Sequence, residues 1–336
     1  MVRVAINGFG RIGRNTFKAG WNKKGIKFVA VNDLTDPGSL AYLLKHDTVY
    51  HDWGHRVSAG KNYVSVDGQK VLAFMEKDPT KLPWKDLEID VVLECTGVFR
   101  TAELAGQHLT AGAKRVIISA PAKGGDINTY MQGVNVTKLK KGEKIIDNAS
   151  CTTNCIAPVA AIVEAKWGIK KAAMTTIHAY TADQRLVDAP HKDPRRGRHA
   201  AQNIIPTTTG AAISTTKAIP SLKNKFDGMS IRVPMPVGSL SDFTLFLKKK
   251  VTAEEVNSHF KKMVNHPFYK GIVAVTEEPL VSSDFIGSEY SAIVDLGMTK
   301  VIDKDLLKLV VWYDNEWGYS HRLAEMAIEV GKKLKK

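Results

Sequence analysis

The 336-residue chain contains only three cysteines, Cys95, Cys151 and Cys155. Three thiols cannot form a disulfide framework for a chain of this length, so they read as free thiols of a reducing compartment. Cys151 and Cys155 stand four residues apart. No second Cys/His cluster with ligand spacing accompanies them, which argues against a metal site. No run approaches the roughly eighteen apolar residues that a membrane-spanning helix needs. The opening stretch Met1–Gly8 leads straight into a turn and is too short for a secretory signal. The expected location is cytoplasmic, with no membrane partner. Internal repeats, low-complexity tracts and Pro/Ser-rich linkers are also lacking.

Acidic residues are the minority, 34 against 48 lysines and arginines, for a formal charge of +14. Such an excess suits anionic partners, from phosphorylated metabolites to nucleic acid. Many lysines are dispersed over apparent helix faces and the tail Lys332–Lys333–Leu334–Lys335–Lys336, and read as solvated surface. No aromatic–basic RNA signature or basic helix accompanies the charge. Nucleic-acid or surface binding is therefore expected at most as a secondary activity.

The length exceeds what one hydrophobic core usually serves, so two domains are expected. In the first half, short apolar runs read as buried strands: Val2–Ile6, Phe28–Val31, Val91–Cys95, Val116–Ile118 and Lys144–Ile146. Helical stretches such as Arg11–Trp21 and Ala102–Ala111 separate them. That alternation predicts an α/β fold with a doubly wound parallel sheet. After Cys151 the strands Ala172–Ala179, Ser230–Pro234, Asp242–Leu247, Ile272–Val275, Ser291–Asp295 and Leu307–Tyr313 carry more Thr, Ser and Tyr. A sheet with one solvated or interfacial face has that composition. The charged, turn-rich stretch Asp183–Ala200 reads as a long loop, usually functional or interfacial. From Ser320 the pattern Leu323, Ala327, Val330, Leu334 predicts a closing helix.

Gly8–Phe9–Gly10–Arg11–Ile12–Gly13 is a GxGxxG that follows a strand and opens a helix. Gly8 permits the tight turn, Gly10 lets backbone approach a pyrophosphate, and Gly13 permits close helix–strand packing. The phosphates would rest on the amides of the helix N-terminus. Asp33 lies twenty residues beyond Gly13, where a carboxylate can hold both ribose hydroxyls. A dinucleotide site is expected.

Cys151 begins the segment Thr152–Trp167, helical in spacing until Pro158, where a kink is expected. A thiol at a helix N-terminus feels the positive end of the dipole, which favours thiolate. On the residues alone, Cys151 is either a nucleophile or a buried structural cysteine. Cys95 reads as a core residue and Cys155 as a packed neighbour. Of ten histidines, His178 ends the strand leading into the long loop. It is either the base that a thiol needs or a satisfied strand histidine.

With Gly8–Gly13, Ser150–Cys151–Thr152–Thr153–Asn154–Cys155 and Trp312–Tyr313–Asp314–Asn315–Glu316 taken together, the chain resembles the phosphorylating glyceraldehyde-3-phosphate dehydrogenases. The resemblance spans essentially the whole length, through Ile118–Ala122, Ile205–Ala212, Arg232–Pro234 and Glu278–Ser282. It implies a Rossmann-type NAD-binding domain over 1–149 and an α+β catalytic domain over 150–315 with a mixed, largely antiparallel sheet. The C-terminal helix, 316–336, would pack back on the first domain. It further implies that Cys151 attacks the aldehyde, with His178 as base. Hydride then leaves for NAD, and inorganic phosphate cleaves the thioester. The Cys151 N–H is a candidate oxyanion donor.

By the same resemblance, Thr181, Arg232 and nearby Arg196 hold the phosphate of glyceraldehyde 3-phosphate, while Ser150, Thr152, Thr209 and Gly210 hold the attacking phosphate. Gly8, Gly10, Arg11, Ile12, Gly13, Asp33, Lys77, Ser119 and Asn315 contact NAD. A homotetramer is implied, its core lined by the loop at about Thr181–Ala200. Erythrose-4-phosphate dehydrogenase shares this frame and is the alternative. Two positions depart from the pattern: Lys77 stands where arginine is frequent, and Ala189, before Pro190, stands where NAD-selective members often carry leucine. Asp33, Leu34 and Pro190 still point to NAD.

Overall fold

A computed structural model describes residues 1–124 and 127–335; Lys336 of the basic tail lies outside the described residues. The chain divides into two compact units. One comprises Met1–Met131, Asn135–Ala149 and the chain from Ser320, the other Gln132–Val134 and Ser150–Tyr319.

The first unit contains, in order, β1 (Val2–Asn7), α1 (Arg11–Gly20), β2 (Ile26–Asn32), α2 (Pro37–Lys45), β3 (Val57–Gly60), β4 (Tyr63–Val66), β5 (Gln69–Phe74), β6 (Val91–Glu94), α3 (Ala102–Thr110), β7 (Arg115–Ile118), β8 (Asn128–Thr129) and β9 (Ile145–Asp147). They form a nine-stranded sheet ordered β3-β4-β5-β2-β1-β6-β7-β9-β8. From β5 to β8 every pair is parallel. Val4, Ala5 and Ile6 of β1 and Val91, Val92 and Leu93 of β6 are fully buried, as continuous apolar runs in a doubly covered sheet should be. The parallel expectation fails at one edge, where β3, β4 and β5 pair antiparallel. These strands are short and carry Ser, Gly, Gln and Lys among their apolar residues, so no buried run announces them. Cys95 also departs from expectation: β6 ends at Glu94, and Cys95 lies just beyond it, half-buried.

The second unit contains α4 (Cys151–Trp167), β10 (Ile169–Ala179), β11 (Ile205–Thr208), α5 (Ala211–Ala218), β12 (Phe226–Val233), β13 (Ser239–Leu247), α6 (Ala253–Met263), β14 (Val273–Thr276), β15 (Ala292–Ile302) and β16 (Leu306–Tyr313). Its seven-stranded sheet is ordered β11-β12-β10-β13-β16-β15-β14. Only β10–β12 and β14–β15 pair parallel; the other four contacts are antiparallel. Ile156, Val159 and Val163 of α4 pack with Phe243, Leu245, Leu309 and Val311 of the sheet. That burial carries α4 through Pro158 and on to Trp167. Residues 180–204, between β10 and β11, contain neither helix nor strand. The last helix, α7 (Trp317–Lys335), closes the chain.

Candidate active site

In the first unit the glycine motif makes the turn between β1 and α1. Gly8 has φ +89°, and a Cβ there would lie 2.7 Å from the Thr96 nitrogen. A Cβ on Gly13 would lie 2.2 Å from the Gly8 carbonyl oxygen, so only glycine lets α1 approach β1 this closely. Gly10, the N-cap of α1, has no atom within 4 Å of its would-be Cβ. Its open side belongs to a cavity of about 440 Å³ lined by Gly8, Asp33, Leu34, Lys77, Thr96 and Phe99, among others. The Asp33 carboxylate accepts from the Phe9 N–H at 2.7 Å and the Thr35 N–H at 3.2 Å. Arg11 and Ile12 open α1, whose first-turn amides have no intrahelical carbonyl to meet. The Arg11 guanidinium is committed elsewhere, donating to Asp47 at 2.8 Å and lying over Tyr50. Ser119 follows β7, with its N–H on the Glu94 carbonyl.

In the second unit Ser150 caps α4, its Oγ accepting from the Thr153 N–H at 3.1 Å. Cys151 is thereby the first residue of the helix. Its Sγ lies 3.4 Å from His178 Nε2. His178 comes from the end of β10, and in the β10–β12 register it stands opposite Arg232. His178 Nδ1 is 2.6 Å from the Ala179 carbonyl oxygen, to which Arg232 also donates at 3.1 Å. The Ala179 carbonyl only accepts and is the closer contact, which favours a ring hydrogen on Nδ1 and the Nε2 lone pair facing the thiol. The Arg232 guanidinium, a donor 3.0 Å from Nδ1, opposes it.

Burial pushes the Cys151 thiol up, against the pull of Arg232 and of the first amides of α4. The helix start thus favours thiolate, as expected from its position, but burial outweighs that pull. Burial, reinforced by Arg232, pushes His178 down to about 3. Each group taken singly is held uncharged.

The remaining predicted residues separate into groups. Arg232 completes the Cys151–His178 cluster, with one guanidinium nitrogen 3.0 Å from His178 Nδ1, while its buried Nε has no hydrogen-bond partner among the described residues. Thr152 is buried, and its hydroxyl is shared with Tyr313 at 2.9 Å. Arg196 is anchored on Thr207 at 2.9 Å, the Thr208 carbonyl at 3.1 Å and Asp183 at 2.5 Å. Gly210 caps α5, and the Thr209 hydroxyl accepts from the Ala211 N–H at 3.2 Å. The Thr181 N–H reaches Gln184 at 3.4 Å. Asn315 is buried, its Oδ1 accepting from the Gly238 N–H and the Ser239 hydroxyl, each at 3.0 Å.

Residues 2–102 match the profile described as glyceraldehyde 3-phosphate dehydrogenase, NAD binding domain, and residues 150–315 that of its C-terminal domain. The chain is 50% identical over 333 residues to the glyceraldehyde-3-phosphate dehydrogenase of Geobacillus stearothermophilus, covering 99% of each. It is 48% identical over 335 residues to glyceraldehyde-3-phosphate dehydrogenase 2 of Streptomyces avermitilis and to the enzyme of Streptomyces coelicolor, again covering 99% of each. The chain belongs to the glyceraldehyde-3-phosphate dehydrogenase family. It is an NAD-dependent oxidoreductase.

In this dehydrogenase the residue that sequence reasoning left without a role is Tyr313. Its hydroxyl lies 2.9 Å from both Thr152 and Thr176, and its ring meets His178 edge-on at 6.0 Å. It therefore braces the start of α4 against the strand that carries the histidine. The alternation Leu307, Leu309, Val311, Tyr313 along β16 marks the side chain as inward. Nothing in the sequence indicates which hydroxyls it joins.

Proposed function

We propose that this dehydrogenase oxidises D-glyceraldehyde 3-phosphate to 1,3-bisphosphoglycerate, with reduction of NAD and uptake of inorganic phosphate, as a step of glycolysis or gluconeogenesis. The carrying observation is the Cys151–His178 pair at 3.4 Å, with the Ala179 carbonyl 2.6 Å from His178 Nδ1. The open face of Gly10, the cavity beside it and the Asp33 carboxylate fit a dinucleotide with free ribose hydroxyls. Gly8, Gly10, Gly13, Arg11, Ile12, Asp33, Lys77, Ser119 and Asn315 would hold it. NAD, when bound, supplies a hydride acceptor.

The chain's own groups do the rest. His178 Nε2 takes the Cys151 proton as the sulfur adds to the aldehyde carbon and passes it to the former carbonyl oxygen, giving a thiohemiacetal and a neutral imidazole. As hydride leaves that carbon, His178 takes the hydroxyl proton, and a thioester on Cys151 remains. An inorganic phosphate oxygen then attacks the thioester carbonyl. The carbon–sulfur bond breaks, acyl phosphate departs, and the thiol is regenerated. Thr181, Arg196 and Arg232 hold the substrate phosphate, and Ser150, Thr152, Thr209 and Gly210 the attacking one. The buried, unpartnered Nε of Arg232 supports that reading, because it offers a donor a bound oxyanion can satisfy. The hydroxyls of Ser150 and Thr152 are engaged as cap and tyrosine partner, which favours backbone amides for the attacking anion.

Residues 1–149 with the final helix act as the NAD domain and 150–315 as the catalytic domain. A homotetramer accounts for Leu186, Val187 and Ile204, each more than 60% exposed along the long loop. The three free thiols suit a cytoplasmic location. The relatives carry the glyceraldehyde-3-phosphate name, which favours that substrate over erythrose 4-phosphate. The test is NADH formation from each aldehyde, with and without inorganic phosphate. Rapid, phosphate-dependent turnover of glyceraldehyde 3-phosphate is expected. Phosphate-independent turnover, or a preference for erythrose 4-phosphate, would overturn the assignment.

A further inference from the structure

A row of side chains crosses the ends of four neighbouring strands under the dinucleotide pocket. Asn7 ends β1, Asn32 ends β2, Glu94 ends β6, and Glu76 follows β5, in the sheet order β5-β2-β1-β6. Asn7 Nδ2 donates to Glu94 Oε2 at 2.6 Å, and Asn32 Nδ2 donates to Asn7 Oδ1 at 2.7 Å. Asn32 then exchanges two bonds of 2.9 Å with the Glu76 backbone, accepting from its N–H and donating to its carbonyl. Asn7, Asn32 and Glu76 line the floor of the cavity beside Gly8, Asp33 and Lys77, while Glu94 lies behind it, next to the lining residue Cys95.

One carboxyl group, that of Glu94, orients the row. Glu94 Oε2 accepts from the Asn7 amide nitrogen, which turns the Asn7 oxygen to Asn32. Asn32 must then donate to Asn7 and turn its own oxygen to the Glu76 N–H. Glu94 is closed on its other sides by the Thr96 N–H at 2.8 Å, the Thr96 hydroxyl and His108 Nε2 at 3.0 Å. His108 Nδ1 accepts from Trp84 at 3.1 Å, which leaves its hydrogen on Nε2 for the carboxylate. Asn7, Asn32, Glu94 and His108 are all at most 4% exposed. Apolar packing could fill this layer without desolvating a carboxylate. A fully satisfied polar row adds what apolar packing does not, a single allowed geometry.

We infer that Glu94, Asn7 and Asn32 are positioning residues for the dinucleotide. They fix the spacing of the strand ends, so that the Gly8–Gly10 turn and the Asp33 carboxylate meet the cofactor at one separation. The inference rests on the NAD-site reading above.

The test uses the full chain and three variants, with NAD dissociation constants from calorimetry, thermal midpoints, and kcat at saturating NAD. Glu94→Gln keeps the volume but brings a second donor against Asn7 and His108. Asn32→Leu keeps the volume and removes the row's middle. Each should weaken NAD binding about tenfold or more, the scale of a hydrogen bond to a charged group. In both, kcat at saturation should change less than about twofold, since correctly bound cofactor reacts as before. A lower thermal midpoint with unchanged NAD affinity in either folded variant would overturn the inference. If one variant does not fold, the other decides by the same readings. Asp33→Gly separates the two readings. If it leaves NAD affinity unchanged, the NAD site itself is misplaced and this inference falls with it. If it weakens NAD while the row variants do not, only the positioning role fails.

Discussion

His178 Nε2 stands 3.4 Å from Cys151 Sγ, while His178 Nδ1 is held 2.6 Å from the Ala179 carbonyl. Burial disfavours a lone thiolate and a lone imidazolium alike. Proton transfer from Sγ to Nε2 forms both charges together, and their attraction at this distance opposes the burial, so the two groups titrate as a pair. His178→Asn removes the imidazolium and leaves the Cys151 thiol raised. Iodoacetamide labelling of Cys151 at pH 7 should slow by about 10²-fold, recovering only as pH rises past the ordinary thiol range. Turnover should fall by roughly 10²–10⁴, the scale of general-base catalysis. A labelling profile identical to the wild type would move the base role to another residue.

Arg232 acts on both the anion and the histidine. Its guanidinium lies 3.0 Å from His178 Nδ1 and, after burial itself, is the largest influence holding that imidazole down. Arg232→Ala should therefore raise the His178 pKa, and it should lower turnover even on an unphosphorylated aldehyde. On glyceraldehyde 3-phosphate it also removes a charged partner worth about 1.5–3 kcal/mol per bond. The ratio of kcat/KM for phosphorylated over unphosphorylated aldehyde should fall by at least about tenfold. Equal losses on both substrates would confine Arg232 to the histidine.

The buried parallel strands and the glycine turn were legible in sequence because their physics is local. Val91–Leu93 is an unbroken apolar run, and the would-be Cβ distances at Gly8 and Gly13 match the tight turn and close packing read from their spacing. The β3–β5 edge was not legible, since short half-exposed strands lack a buried run. Nor was the meeting of Tyr313 with Thr152 and Thr176, 161 and 137 residues away in sequence, which exists only after β16 and β10 share a sheet. The pull of the helix start on the Cys151 thiol was legible because helix position is local; the burial that outweighs it was not.

Asp47 offers a test of stability. It accepts from Arg11 at 2.8 Å and lies 3.8 Å from the buried ammonium of Lys18. Burial pushes its carboxyl up, but the Tyr50 and Val49 amides and Arg11 outweigh this and hold it below the usual range. A carboxyl lowered on folding stabilises the fold above its unfolded pKa of about 3.9, and that contribution disappears as pH falls through the folded value. Asp47→Asn should cost about 3 kcal/mol in equilibrium unfolding at pH 7, because Lys18 is left buried without its counter-charge. The difference from wild type should shrink below about pH 4. Lys18→Met in the Asp47→Asn background should recover much of the loss. If it recovers nothing, the stranded ammonium is not the cause.

Gly10 and Gly13 should fail in different ways. A Cβ on Gly13 would meet the Gly8 oxygen at 2.2 Å and Ile6 Cγ2 at 3.2 Å, so Gly13→Ala must push α1 away from β1. Overpacking of this kind costs about 1–3 kcal/mol, and the loss should appear in the thermal midpoint with or without NAD. Gly10 sits at φ −72° and ψ −159°, extended backbone that alanine adopts readily, with nothing within 4 Å of the new methyl. Gly10→Ala should therefore fold with a midpoint close to wild type. The methyl would instead occupy the space through which a pyrophosphate reaches the first amides of α1. NAD affinity should fall by at least about tenfold, equivalent to roughly 1.4 kcal/mol. Calorimetric NAD titrations and melting curves on both variants separate the two effects. If Gly10→Ala binds NAD like the wild type, the cofactor's phosphates do not rest on this turn. If Gly13→Ala melts like the wild type, α1 has room to move that its packing on β1 denies.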